Sequence, residues 1–261
     1  MASRTGTESQ GLTIVELGRL RYAETEALQT ALARQREAGA IGDLLLLLEH
    51  EPVITLGRNA SVANVLATPE VLAGRGVELA ECNRGGDVTW HGPGQLVGYP
   101  ILDLRACRRP AFLPPRTGRL ELGPVDYVRA LEEVLIGAAG DCGIACRRLP
   151  GLTGVWTTAE PARKLAAIGV HVARGITTHG FALNVASALE GFELIVPCGL
   201  AGRGVTSIAR ETAAPPTLAA VRALVSRRFA EVFDRHPDSW DHRRLQQFLM
   251  QQGEQAWPSM S

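Results

Sequence analysis

The chain reads as an α/β or α+β layered domain. Three observations carry that reading. Short apolar runs of strand character and amphipathic helical stripes follow one another in mixed order, without a clean βαβ alternation. Two long apolar stretches, 95–104 and 164–173, have the composition of strands buried on both faces of a sheet. Finally, 261 residues with 46% hydrophobic and 21% charged side chains suffice for one substantial core and sit near the soluble globular average.

In chain order, residues 1–10 are small and polar and read as a flexible end, and 12–17 predict a strand. Ala23, Ala27, Leu28, Ala31 and Leu32 then recur at helical spacing until Gly39 stops the helix. Residues 44–49 and 53–56 predict two short strands punctuated by Glu51-Pro52. A helix begins at Pro124, a good first-turn residue, and buries a stripe that includes Tyr127, Leu131, Val134 and Leu135. Another runs over 218–233 behind Thr217 as its cap, and a third over 241–250. Residues 105–123, rich in Arg and Pro, are the one long loop. The organisation expected is a single domain over 11–236 with a helical extension and tail over 237–261.

Charge is balanced at 27 cations and 27 anions, so no net field draws the molecule to nucleic acid or an anionic membrane. Among those 27 cations Lys164 is the only lysine, the rest being arginine. Arg cannot give up its proton, so a single retained ammonium marks a site where deprotonation could matter. Five cysteines, at 82, 107, 142, 146 and 198, are an odd number with no secretory leader before them, and a cytoplasmic location is expected. No apolar run approaches the roughly 20 residues of a membrane span.

Several chemistries lack their residues. There is no Walker A loop, no G-x-S-x-G elbow and no H-E-x-x-H pair, and Cys142 and Cys146 have no second pair of ligands at zinc spacing. Neither a metal nor a cofactor is expected. Three glycine-dense segments remain. The first, 84–95, reads Arg-Gly-Gly-Asp-Val-Thr-Trp-His-Gly-Pro-Gly-Gln; its glycines let backbone approach a ligand, with Trp90 as a flat wall and His91 as a titratable ring, or equally a structurally bonded histidine. In the second, Lys164 heads a run without another charge until Arg174, and desolvation there would lower its pKa toward neutrality. The same run leads on to 177–185, which contains His179 and Asn184. In the third, Cys198 sits between Pro197 and Gly199, flanks suited to a shaped turn and not to core packing. An amine that took its proton would raise its thiolate fraction.

Together with 48–58 and Gly154-Val-Trp156, these segments resemble, in order and over about 12–235, the lipoyl(octanoyl) transferase family. The resemblance implies a mixed β-sheet flanked by helices with a smaller antiparallel sheet, similar to lipoate and biotin protein ligase catalytic domains. It also implies transfer of an octanoyl group from octanoyl-acyl carrier protein to a lysine of lipoyl domains in 2-oxoacid dehydrogenases and of the glycine cleavage H protein. Cys198 and Lys164 match the family's catalytic dyad. Substrate would be met by Arg84, Gly85, Gly86, Asp87, Trp90, His91 and Gly92, by Leu165, Ala167, Ile168 and Gly169, and by His179, Gly180, Ala182 and Asn184. Backbone N–H groups around Gly85, Gly86 and Leu165 would hold the oxyanion, and Trp90 would wall the acyl chain. A monomer is expected. The rival readings are an ATP-dependent ligase of the lipoate or biotin type, a thioesterase, and a noncatalytic carrier-binding adaptor that uses the arginines at 105, 108, 109, 116 and 119.

Overall fold

A computed structural model describes residues 10–114, 122–196 and 204–254. The apolar runs become β1 (Gln10–Leu20), β2 (Asp43–His50), β3 (Val53–Leu56), β6 (Gln95–Ile101) and β9 (Lys164–Ala173), and the stripes become α1 (Tyr22–Glu37), α3 (Pro124–Asp141), α5 (Leu218–Phe233) and α6 (His242–Gln251). Between these lie α2 (Pro69–Gly74), β4 (Glu78–Glu81), β5 (Val88–His91), β7 (Cys146–Leu149), β8 (Leu152–Thr157), β10 (Ile176–Asn184), the short α4 (Ile208–Glu211) and β11 (Arg235–Trp240).

The large sheet has eight strands in the order β11-β1-β2-β6-β10-β9-β8-β7. β1 pairs parallel with β2 and with β11, and every other pairing in it is antiparallel. Its two faces carry separate cores. Leu45, Leu47, Leu96, Phe181 and Leu183 pack against α3 and α5, while Leu44, Leu46, Leu48, Val97 and Ala182 belong to the α1 and α6 side. Alternation along each strand sends successive side chains to opposite faces, so a run of five leucines in β2 serves both cores at once. The small sheet, β4-β3-β5, pairs β3 antiparallel with β5 but parallel with β4, and is therefore mixed.

Two expectations change. β6 is buried throughout, as its composition predicts, but β9 is only half-buried from Ala167 to Val172. The cause is that this part of β9 borders open cavities, lined by residues from both of its faces, in place of packed layers. The stretch 237–261, read as an extension, supplies most of β11 beside β1 and places Leu245 and Leu249 of α6 in the second core. β11 escaped the sequence because Arg-His-Pro-Asp-Ser-Trp has no apolar period; an edge strand tolerates Pro237, whose missing N–H need not face a partner.

Candidate active site

The central hairpin β9–β10 aligns small residues across two strands. Ala167 lies opposite Ala182 and Gly169 opposite Gly180, and Ala182 in turn faces Val97 of β6. The result is a floor without bulky side chains, and above it stand residues 84–89, which lead into β5 of the small sheet. Floor and roof enclose a cavity of about 350 Å3. Lys164 lines one end together with Trp156, and Tyr22, Tyr99 and His179 line it farther along.

At the first end, Lys164 is half-buried and its Nζ lies 5.1 Å from the centroid of the Trp156 ring. Trp156 pairs with Lys164 across β8 and β9, which sets the ring beside the lysine stem. Gly154 completes the shelf: a side chain there would come within 2.9 Å of Lys164 Cε and 2.6 Å of Ala166 O, and its φ of +119° suits glycine alone. The Lys164 backbone is held on its other side, where its N–H donates to Gly204 O and its C=O accepts from Thr206 N–H, each at 2.9 Å. Val205, between them, also lines the cavity.

The roof is built around Arg84, which is 8% exposed. Its Nη2 donates to Thr55 O at 2.7 Å and to Thr55 Oγ1 at 2.8 Å, and its Nη1 to Gly85 O at 3.2 Å. Among the described residues no carboxylate pairs with it, so a buried positive charge borders the cavity with only neutral acceptors around it. Asp87 is tied back by Ser61 N–H and by Asn64 Nδ2, the latter at 2.6 Å, and so fixes the loop after β3.

The histidines near the cavity are neutral structural groups. Gln95 Nε2 donates to Asn184 Oδ1 at 2.9 Å, which leaves Gln95 Oε1 to accept from His91 Nδ1–H at 2.7 Å. Burial drives the His91 pKa down to about 3, and the charges of His50 and Arg84 act in the same direction. His179 falls to about 3 for the same first reason, with Arg84 again adding to it. His50, buried beneath the cavity, donates from Nδ1 to Leu20 O at 3.1 Å and accepts from Tyr99 O–H at 2.6 Å; burial lowers it to about 4. His179 departs from strand alternation. Its φ is +56°, unusual for a residue other than glycine, and its N–H donates to Gln29 Oε1 of α1 at 2.6 Å.

Of the site residues expected from the sequence, Lys164, Arg84, Gly85, Gly86, Asp87, His91, Ala167, Ile168, Gly169, His179, Gly180, Ala182 and Asn184 all line this one cavity. Trp90, Gly92 and Leu165 do not. The Trp90 indole packs in the small-sheet core, 5.5 Å from Phe192, and Gly92 makes room beneath it, since a side chain there would meet the ring at 2.3 Å. Leu165 is fully buried in the main core. Gly85 N–H is engaged with Val170 O at 2.9 Å, so it is no free oxyanion donor. Cys198 lies outside the described residues. The other four cysteines are unpaired and none lines the cavity; burial pushes the thiols of Cys107 and Cys146 up to about 12. Sequence reasoning missed Tyr22, Tyr99 and Trp156 as cavity residues. Trp156 was signalled by its place in the Gly154-Val-Trp156 motif, whereas Tyr22 reads only as the start of an amphipathic helix.

The comparisons with known proteins agree with this geometry. The family described as lipoyl protein ligase A/B catalytic domain matches residues 21–230. An octanoyltransferase of Koribacter versatilis is 53% identical over 220 residues, which are 84% of this chain and 83% of that one. The chain belongs to the octanoyltransferase family. A second member, from Chloroflexus aggregans, is 47% identical over 87% of this chain and 96% of its own. Among solved structures, lipoate-protein ligase A bound with ATP superposes with a TM-score of 0.67 at 15% identity, covering 95% of this chain and 98% of that one. A bipartite lipoate protein ligase from Thermoplasma acidophilum gives 0.67 at 14%, covering 93% and 92%. At such identities these two show a shared fold only. Two features weigh against the adaptor reading: Arg105 is paired with Asp103 and Arg109 with Asp126, so neither offers a free charge to an acidic partner. Among the described residues there is no cluster suited to a metal and no helix long and apolar enough to cross a membrane.

Proposed function

We propose that this octanoyltransferase takes its acyl group from octanoyl-acyl carrier protein and delivers it to a lysine on lipoyl domains of 2-oxoacid dehydrogenases and on the glycine cleavage H protein. It acts as a cytoplasmic monomer through an acyl-Cys198 intermediate. Lys164 Nζ takes the thiol proton, and the thiolate attacks the carrier thioester carbonyl. The carrier sulfur leaves and recovers the proton. In the second half the acceptor amine attacks the acyl-Cys198 carbonyl, an N–C bond forms, and the Cys198 sulfur leaves as thiolate. The proton lost by nitrogen returns to the dyad. Thioester for thioester is nearly balanced, so the amide supplies the forward drive. The N–H of Gly86, turned by a φ of +93°, is a candidate to hold the oxyanion.

The observation that carries this reading is the lone lysine at one end of a cavity floored by Ala167, Gly169, Gly180 and Ala182. From Lys164 to Gly169 is five strand residues, about 16 Å. An extended eight-carbon chain has seven C–C bonds, each advancing about 1.3 Å along the zigzag, so it needs about 9 Å and fits along it. Gly204 O accepts from Lys164 N–H and Thr206 N–H donates to Lys164 O, so 204–206 lie against the lysine strand.

The test is mass spectrometry of the full chain after incubation with octanoyl carrier protein. An octanoyl increment mapped to Cys198, absent from Cys198→Ser, is the expected result. ATP-dependent adenylate formation without an adduct would overturn the proposal in favour of a ligase. Lys164→Arg keeps the charge but cannot release a proton, and transfer should fall by about 10²- to 10⁴-fold. An active Lys164→Arg protein would remove the lysine from the mechanism.

A further inference from the structure

Away from Lys164 the cavity is lined by aromatic rings. Tyr22, the first residue of α1, is 2% exposed and lines it there, with its ring centroid 5.5 Å from that of His50. His50 cannot yield, because both of its nitrogens are engaged, with Leu20 O and with the Tyr99 hydroxyl. Beside Tyr22, His179 is fixed by Gln29 at its backbone and by Asn83 at its ring, where Nε2 and Asn83 Oδ1 are 2.6 Å apart. Behind this end lies a second, larger hollow of about 1080 Å3 between α1, the β9–β10 hairpin and the chain after α6. His179 lines both spaces and Asn83 lines the outer one, so at that point the partition is a single hydrogen-bonded side-chain pair.

We propose that Tyr22, backed by the Asn83–His179 pair, is the end wall that sets acyl chain length, an inference that rests on the transfer reading above. An octanoyl group extends along the floor from Lys164, and the Tyr22 ring bounds the space beyond its methyl end. A longer chain must displace a ring held by the locked His50–Tyr99 pair, or part His179 from Asn83 and enter the outer hollow. Space for longer chains therefore exists in the molecule and is withheld by these side chains.

The experiment is competition between octanoyl- and decanoyl-carrier protein for the full chain, read as the ratio of the two acyl adducts or amide products. Wild type is expected to favour octanoyl. Tyr22→Leu, which removes the ring, should raise the decanoyl to octanoyl ratio by up to about sixteenfold, since each of the two accommodated methylenes is worth about fourfold. Tyr22→Phe, which keeps the ring, should leave the ratio within about twofold of wild type. Asn83→Ala shifts the ratio the same way as Tyr22→Leu, and because Asn83 is exposed this variant leaves the core intact. Wild-type ratios in both Tyr22→Leu and Asn83→Ala would overturn the proposal. Calorimetric titration with free octanoate and decanoate separates this failure from failure of the transfer reading. If no protein forms an adduct, yet wild type binds octanoate more tightly and Tyr22→Leu does not, the wall stands and transfer falls. Equal binding of both acids by wild type would overturn the wall whatever the transfer result.

Discussion

The β9–β10 hairpin has two faces that use one backbone in opposite ways. Toward α3 and α5 it presents Phe181 and Leu183, buried in the main core, with Ile168 and Val170 half-buried against it at the cavity's border. Its small residues, Ala167, Gly169, Gly180 and Ala182, let Arg84 and Gly85 approach the hairpin closely, and the cavity opens beside them. The contrast teaches that burial fills one face while the other sacrifices packing energy to keep a site. An apolar cavity of this size forgoes dispersion contacts that a well-packed core would make, and the stability comes from the face behind it.

That contrast can be broken most strongly at Phe181. Its ring fills the space above Gly98, where a side chain would approach it to 2.1 Å, so Phe181→Ala leaves a void that its surroundings cannot close. A loss of about 3 to 5 kcal/mol in denaturant unfolding is expected. A loss below about 1 kcal/mol would mean that the packed face is not where stability resides. The reciprocal change, Ala182→Leu, adds volume to the open face. Because Ala182 is buried in the second core, unfolding free energy should fall by about 1 to 3 kcal/mol, while octanoyl transfer falls by more than about tenfold because the chain loses its floor. Equal transfer with octanoyl and hexanoyl donors in that variant would contradict the floor assignment.

A further contrast concerns the histidines under the cavity. Their native pKa values of about 4 for His50 and about 3 for His91 and His179 lie below the unfolded value near 6.5. The unfolded chain therefore binds more protons between those values, and stability falls as pH drops below about 6.5. Each histidine contributes a slope of about 1.4 kcal/mol per pH unit until its native pKa is reached. His50→Gln should flatten the unfolding free energy measured from pH 6.5 to 4 by one such increment, and an unchanged slope would show that His50 does not resist protonation.

Much of this was legible in the chain itself. The leucine run of β2, the stripe of α3 and the Thr217 cap of α5 each announce their element through local period and chemistry, and all three form where expected. The lysine stood out by composition, and the cavity lining was foreshadowed by the glycine-rich motifs. What escaped notice depends on neighbours. Trp90 looks like a ligand wall beside two glycines, but the small sheet folds its ring inward against Phe192, and only the pairing of β5 with β3 decides that. β11 carries no apolar signal, because its place at a sheet edge is dictated by β1 and not by its own side chains.

The chain alone fixed the strands and helices that carry an apolar period, and which residue types could exchange a proton, because those properties are local. The tertiary structure alone decided that Tyr22 from α1, His179 from β10 and Lys164 from β9 border one space. It did so because an antiparallel register converts separation along the chain into distance across a floor, and no local pattern encodes where that floor ends.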